Sequence, residues 1–283
     1  MISMLKARGN HDINMKTIKA EEGMFVPNRR VSAGTRWKVA DYSPCPNCHV
    51  WLVHRILWKH QSSCPGLKNN KDSVSKKISQ LPKIGERELA FEADILAGRV
   101  SCQADDKLKN EVFKIMKNDL ITRTARADPL ICCLGNLSMK RNIGAKATRR
   151  YTVSSVMRLA ARCLMELRDL QPDEEGQKNL TWYDALVPDQ YDNIVKAVFT
   201  VCREPYIEGL LDELDREGMD EDDLVAPSNA LKLTYDIARM CSIKVTMAID
   251  LKNQNQGTID RKNVKRFMEK FKFNWSTVGT RPE

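Results

Sequence analysis

Cys45-Pro46-Asn47-Cys48, followed by His60 and Cys64, makes a C-x2-C-x11-H-x3-C array. Four soft or borderline ligands at this spacing can close a tetrahedral Zn2+ site. A segment this short cannot bury enough apolar surface to fold alone, so metal binding has to supply its folding free energy. The array therefore predicts a small ββα-type C2HC zinc finger over residues 41–66, with Cys45, Cys48, His60 and Cys64 holding one structural Zn2+.

A C-x-x-C pair by itself also fits a redox motif, and the residues between the pairs decide the matter. Trp51 stands five intervening residues before Leu57, and Leu57 precedes His60 by three. That is the spacing of a ββα core, with one aromatic and one aliphatic residue beneath the metal. Against the C2H2-type pattern the first half is one residue short and the last ligand is Cys, a replacement that leaves tetrahedral geometry intact. Pro44 and Pro46 stiffen the entry, and Pro65-Gly66 stops the helix, beginning at about His54, that carries His60 and Cys64. His49 and His54 fall at the wrong spacing and are assigned to exposed or edge positions rather than to the metal.

At 283 residues the chain has room for the finger plus one or two ordinary domains. It has no apolar run long enough to span a membrane, and its first residues lack the apolar core of a secretory signal. The six cysteines outside the finger (Cys102, Cys132, Cys133, Cys163, Cys202, Cys241) are scattered through helical patterns. They read as small buried hydrophobes in a reducing, intracellular compartment, and the vicinal Cys132-Cys133 pair reads as core packing rather than redox chemistry.

The formal charge of +9 is unevenly spread. Basic residues outnumber acidic ones by 14 to 5 over 1–80 and by 17 to 11 over 81–170. The balance reverses to 4 against 16 over 171–229, then returns to 11 against 5 over 230–283. A basic N-terminal third that carries a zinc finger fits a polyanion, with nucleic acid as partner and the nucleus as its setting. A solvated basic surface is the bland alternative.

Residues 1–40 are polar and basic with no sustained period and read as a mostly disordered arm. Residues 67–83 read as a basic linker, and an all-α domain is expected over 84–283 with an acidic insert at about 204–224. The fold class is thus mainly α. Leu89, Ala93 and Leu96 share one face after Glu86. Asp105 can cap a helix whose stripe is Leu108, Val112, Ile115 and Met116. Asp128-Pro129 supplies an N-cap and a first-turn proline. The strongest pattern runs from about Thr148 to Leu170, with Val153, Val156, Ala160, Cys163, Leu164, Leu167 and Leu170 on one face. Arg149, Arg150, Arg158 and Arg162 on that helix can track phosphates, although Glu166 stands at i+4 from Arg162 and can salt-bridge it. Further helices follow Pro188, Ser228 and Asp260. The acidic stretch has no EF-hand spacing.

Several residues together carry a family resemblance. They are Tyr42-x-x-Cys45-Pro46-x-Cys48, Leu57-Trp58-x-His60-x-x-x-Cys64, Met116-x-x-Asp119 and Asp128-Pro129-Leu130-Ile131 with Gly135. Met157-Arg158-Leu159-x-x-Arg162-x-Leu164-Met165, the run Pro227 to Leu233, and Phe267 through Trp275 complete the set. The chain resembles a group of uncharacterised invertebrate C2HC zinc-finger proteins. Its helical region is similar to the DNA-clasping N-terminal domain of Crypton-type tyrosine recombinases, and the resemblance as a whole, finger included, spans roughly residues 42–280. The resemblance implies a transposon-derived recombinase fragment without its catalytic domain.

Recombinases of that type use a Tyr nucleophile, Arg phosphate clamps and a His-x-x-Arg context. Here His11, His49, His54 and His60 all lie in the first sixty residues and no Tyr follows Tyr235. Phosphate-binding loops, dinucleotide fingerprints, zincin motifs and nucleophile elbows are likewise absent from the sequence. The expectation is a non-catalytic protein that binds nucleic acid, DNA in the first place, without membrane or small-molecule partner. Arg55 and Lys59 on the finger helix join the four arginines as candidate contacts. The alternative is a protein-interaction adaptor with a structural zinc finger, for which an exposed Trp58 would serve.

Overall fold

Helical periodicity dominates the sequence, and the chain is mainly α with one two-stranded sheet. The computed structural model describes residues 2–20, 23–28, 38–68, 85–141, 146–172, 179–202, 227–250 and 254–278. The acidic insert at about 204–224 and most of the basic linker lie outside the described residues. The chain divides into two compact units, Met1–Val100 with Phe113–Asn118, and Ser101–Val112 with Asp119–Glu283. The first unit thus takes in residues 84–100, which the sequence assigned to the helical domain.

In the first unit β1 (Tyr42–Pro44) pairs antiparallel with β2 (Trp51–Val53), setting Tyr42 opposite Val53 and Pro44 opposite Trp51. Neighbouring residues of a strand point to opposite faces, so Trp51 and Leu52 enter different cores. Leu52 joins Cys45, Cys48, Leu57 and Cys64 in a cluster completed by Leu89 and Ala93. Trp51 packs instead with Tyr42 and Ala97, against Met15, Ile18, Phe25 and Val53. The aliphatic partner beneath the ligands is therefore as the sequence predicts, but Leu52 takes the place expected for Trp51.

Leu89 and Ala93 come from α4 (Glu86–Leu96; α1 to α3 are given below), whose first turn carries Glu86 and Glu88 where the helix dipole favours them. That helix ends at Gly98, whose φ of 67° is a left-handed cap position that suits glycine. The backbone N–H of Arg99 then donates to Asp94 O at 2.9 Å. The segment Phe113–Asn118 lies along the same helix. Phe91 meets Phe113 edge-on at 5.5 Å, and Lys114 pairs with Glu88 at 2.9 Å.

Residues 2–20, expected within a disordered arm, form α1 (Ile2–Ala20). Its apolar residues make no continuous stripe, and its anchors are largely polar. Asn14 is fully buried; its amide donates to Val26 O at 2.9 Å and its Oδ1 accepts from Val26 N–H at 2.7 Å. The Trp51 indole N–H donates to His11 Nδ1 at 3.0 Å. A polar anchor of this kind carries no hydropathy signal, which is why periodicity missed the helix.

The second unit is a helical bundle. The stripe after Asp105, which runs on in sequence from this unit into the segment Phe113–Asn118 of the first, is buried at Leu108, Val112 and Met116, but the helix is not continuous. It runs as α5 (Asp106–Leu108), a π-turn Lys109–Phe113 and then turns. Next come α6 (Leu120–Ala127), α7 (Pro129–Arg141) and α8 (Lys146–Asp169), the last matching the strongest sequence pattern. A short α9 (Trp182–Ala185) is opened by Thr181, in a capping box with Asp184. After it come α10 (residues 191–202), α11 (Pro227–Asp250) and α12 (Gln254–Val278). Both of the last two begin earlier than Ser228 and Asp260, the starts that the sequence pointed to.

Three polar side chains tie this bundle together. Asp128 caps α7 by accepting from Ile131 N–H, and its second oxygen accepts from Trp182 N–H, both at 2.9 Å. Lys244 on α11 is 2% exposed and its ammonium donates to Tyr183 O at 2.6 Å and Leu186 O at 3.2 Å, stopping α9 as a C-cap does. Burial pulls the Lys244 pKa below its ordinary value. Tyr183 O–H in turn donates to Asp260 Oδ2 on α12 at 2.6 Å.

Replacing Asp128 by Ala removes a helix cap and leaves the buried Trp182 N–H unpaired. It is expected to cost about 3 kcal/mol of unfolding free energy. Urea denaturation checks this, and a midpoint equal to wild type would show that neither bond counts.

Candidate metal centre

The four predicted ligands converge. Cys45 and Cys48 sit on the turn after β1, where His49 N–H donates to Cys45 O at 2.8 Å and Cys45 N–H donates to Val50 O at 2.9 Å. His49 closes this turn with φ at 61°, a left-handed conformation that is costly for a side chain with a Cβ. His54–Ile56 form a 3-10 turn, and the α-helical part is one turn, α2 (Leu57–His60), which ends on the third ligand. A second 3-10 turn, Gln61–Ser63, carries the chain to Cys64, which is extended. Pro65 then starts a new short helix, α3 (Pro65–Lys68), so Pro65 and Gly66 open a helix instead of ending the finger helix, and Cys64 lies outside the helix expected to carry it.

The four ligand atoms all lie within 4.8 Å of one another. Cys45 Sγ is 3.8 Å from Cys64 Sγ, and Cys48 Sγ is 3.2 Å from His60 Nε2. Metal–sulfur bonds of about 2.3 Å in a tetrahedron give sulfur–sulfur edges of about 3.8 Å and sulfur–nitrogen edges of about 3.6 Å. The donor set therefore fits a single tetrahedral ion. Hydrogen bonds from Cys45 and Cys48 hold the Cys64 thiol well below its ordinary range, while those with Cys45 and Cys64 push Cys48 up. The same two sulfurs raise His60 to about 9. Elsewhere burial pushes the Cys132 and Cys163 thiols up, which makes them inert core residues.

Two neighbours support the site without touching the ion. A Cβ on Gly66 would sit 2.3 Å from the Asn47 carbonyl oxygen, so only glycine lets the segment after Cys64 lie against the Cys45–Cys48 turn. The sequence flagged Gly66 as a helix stop, but the close approach could not be read from spacing. His54 is buried rather than exposed. It pairs through Nδ1 with Ser43 Oγ at 2.8 Å and through Nε2 with Asn118 Oδ1, which makes it a structural residue of the first unit.

The candidate nucleic-acid contacts separate into two groups. Arg55 and Lys59 are exposed beside Trp58, itself 48% exposed, and the Lys59 ammonium lies 5.4 Å from the centre of the Trp58 ring. Arg150 and Arg162 are exposed on α8, with Arg150 over the Tyr151 ring at 4.9 Å. Arg149 and Arg158 are not available to phosphates. Arg149 is buried and pairs with Glu111 at 2.5 Å. Arg158 grips both oxygens of Asp119 at 2.7 Å and also donates to Thr122 Oγ1 at 2.6 Å. The carboxylates that claim these two arginines lie more than thirty residues away in sequence, beyond the reach of a helical-wheel argument.

Gly66→Ala is expected to weaken metal-bound stability by about 1–3 kcal/mol, because backbone rather than a flexible side-chain end must move. Competition against a chromophoric chelator measures it as a lowered metal affinity. Arg158→Met is expected to cost the second unit about 2 kcal/mol at neutral pH and to leave any nucleic-acid affinity unchanged. Burial pushes the Asp119 carboxyl up, but the bonds from Arg158 and Thr122 outweigh it and hold the group below its ordinary 3.8. A carboxylate of lowered pKa stabilises the fold above its unfolded value and loses that contribution as pH falls through the native one. The wild-type advantage over Arg158→Met should therefore shrink in urea titrations taken from pH 5 downward.

Compared with family models, curated proteins and solved structures, the chain matches none of them.

Proposed function

We propose that the chain is a non-catalytic, zinc-dependent nucleic-acid-binding protein whose target is DNA and whose setting is the nucleus. The ion is Zn2+, since three thiolates and one imidazole at tetrahedral spacing are its preferred structural donor set. It would act as a cross-link that holds the turn of Cys45 and Cys48 to the helix of His60.

The observation that carries this reading is the outer face of the knuckle. Arg55, Trp58 and Lys59 stand exposed on the segment that runs to the third ligand, with the Lys59 ammonium 5.4 Å from the centre of the Trp58 ring. Cations meet phosphates, and an aromatic ring meets a base or a sugar. The likeness to the clasping domain of tyrosine recombinases supports DNA as the partner, and it is the ground for a transposon-derived origin. Because α2 is a single turn, the face is too short to read more than about three base pairs, and affinity is expected to come mainly from phosphate contacts.

The adaptor reading draws on one observation: Ile56 is 40% exposed beside Trp58, an apolar pair that also suits a protein groove. Salt separates the two readings. Fluorescence anisotropy with a labelled duplex should give a dissociation constant on the order of micromolar at low salt, weakening steeply as salt rises. Stripping the metal should weaken binding further, because the knuckle core contains its ligands. Absence of binding at low salt would reject the nucleic-acid reading and favour the adaptor.

A further inference from the structure

We infer that α12 carries a second nucleic-acid contact, a row of Arg261, Lys262, Lys265 and Arg266 that docks on the phosphate backbone of duplex DNA. The inference rests on the nucleic-acid reading above and assigns that reading a surface remote in sequence from the knuckle. The basic row of α8 cannot serve as a whole, since Arg149 and Arg158 are committed to carboxylates. On α12 the situation is reversed. All four cations are exposed, and none has an ion-pair partner among the described residues.

The opposite face of the helix is the anchored one. Val264 is buried and Phe267 fully so, with Phe267 meeting Tyr191 edge-on at 5.8 Å. The acid that precedes the row does not neutralise it: Asp260 is 4% exposed and accepts from Tyr183 O–H. On α12 the first exposed acid after the row is Glu269, on the same face and four residues past Lys265, and Lys270 beyond it donates to Pro188 O at 3.4 Å.

Geometry fits the occupant. At 100° per residue the four cations fall within a sector of about 140°, and they span about 7.5 Å along the helix axis. Duplex DNA presents a charge about every 1.7 Å of its axis, so the row faces several phosphates at once. A merely solvated helix face normally interleaves the two signs of charge, as solubility alone requires. Here four cations precede the first acid of the exposed face, Glu269, and the acid beside them, Asp260, is turned into the core.

The experiment compares the full chain, metal bound, with a quadruple variant R261Q/K262Q/K265Q/R266Q and with a control K16Q/K19Q/K107Q/K196Q. The control removes the same charge from exposed lysines elsewhere. Binding to a labelled duplex is followed by anisotropy across a salt series, and urea denaturation confirms that each variant is folded. The expected result is a fall in the salt slope of about 3 to 4, with roughly ten- to hundredfold weaker binding, for the row variant and not for the control. The charge-retaining R261K/R266K should keep the slope. If the row variant binds like wild type, or the control loses as much, the α12 contact is wrong while the knuckle reading stands. If wild type itself binds no duplex, both fail together.

Discussion

A tetrahedral metal site needs its ligands held together before the ion can repay the cost of ordering them, and here that holding is shared between local and distant chain. Cys45, Cys48 and Cys64 are buried to within 1% of full coverage, and the apolar cluster around them is closed by Leu89 and Ala93 on α4. The knuckle is therefore not a self-contained bead. It forms one corner of a larger unit, the corner that gathers the four candidate ligands, and that unit also includes α1, α4 and the segment Phe113–Asn118. Gly66 against Asn47 and His54 between Ser43 and Asn118 supply the remaining constraints, one by shape and one by hydrogen bonding.

The second unit depends on satisfied buried polar groups in the same way. Asp128, Lys244 and Asp260 each join elements far apart in sequence, and each meets a backbone group or hydroxyl that would otherwise be orphaned. α9 illustrates the outcome. It has four residues, too few to be stable alone, yet its start is held by Asp128 and Thr181 and its end by Lys244. Trp182 then donates from its indole to Ala160 O at 3.0 Å, fixing the short helix against α8.

What was legible in the sequence followed from local chemistry. The four candidate ligands are close in the chain and their spacing encodes geometry, so their convergence was legible. The face of α8 was read equally well because its apolar period is long and regular. Asp128-Pro129 was recognisable because capping is a contact within three residues. The failures share one cause, which is that the deciding partner is distant. Leu52 displaces Trp51 beneath the ligands because α1 and Phe25 offer Trp51 another core. Arg149 and Arg158 look like phosphate contacts until Glu111 and Asp119 are brought to them. The disordered reading of residues 2–20 failed because Asn14 and His11 anchor a helix through hydrogen bonds, which leave no trace in hydropathy.

One consequence of the strand alternation in β2 lies in how the first unit comes apart. Trp51 and Leu52 are joined by a single peptide bond, yet one belongs to the cluster that packs α1 and the other to the cluster that encloses the ligand sulfurs. A rearrangement that withdraws Leu52 must twist the backbone at Trp51, so neither core can loosen while the other stays intact. The order of α1 is in this way tied to that of the cluster around Cys45, Cys48 and Cys64. The dipeptide Trp51-Leu52 is the hinge pin of the first unit.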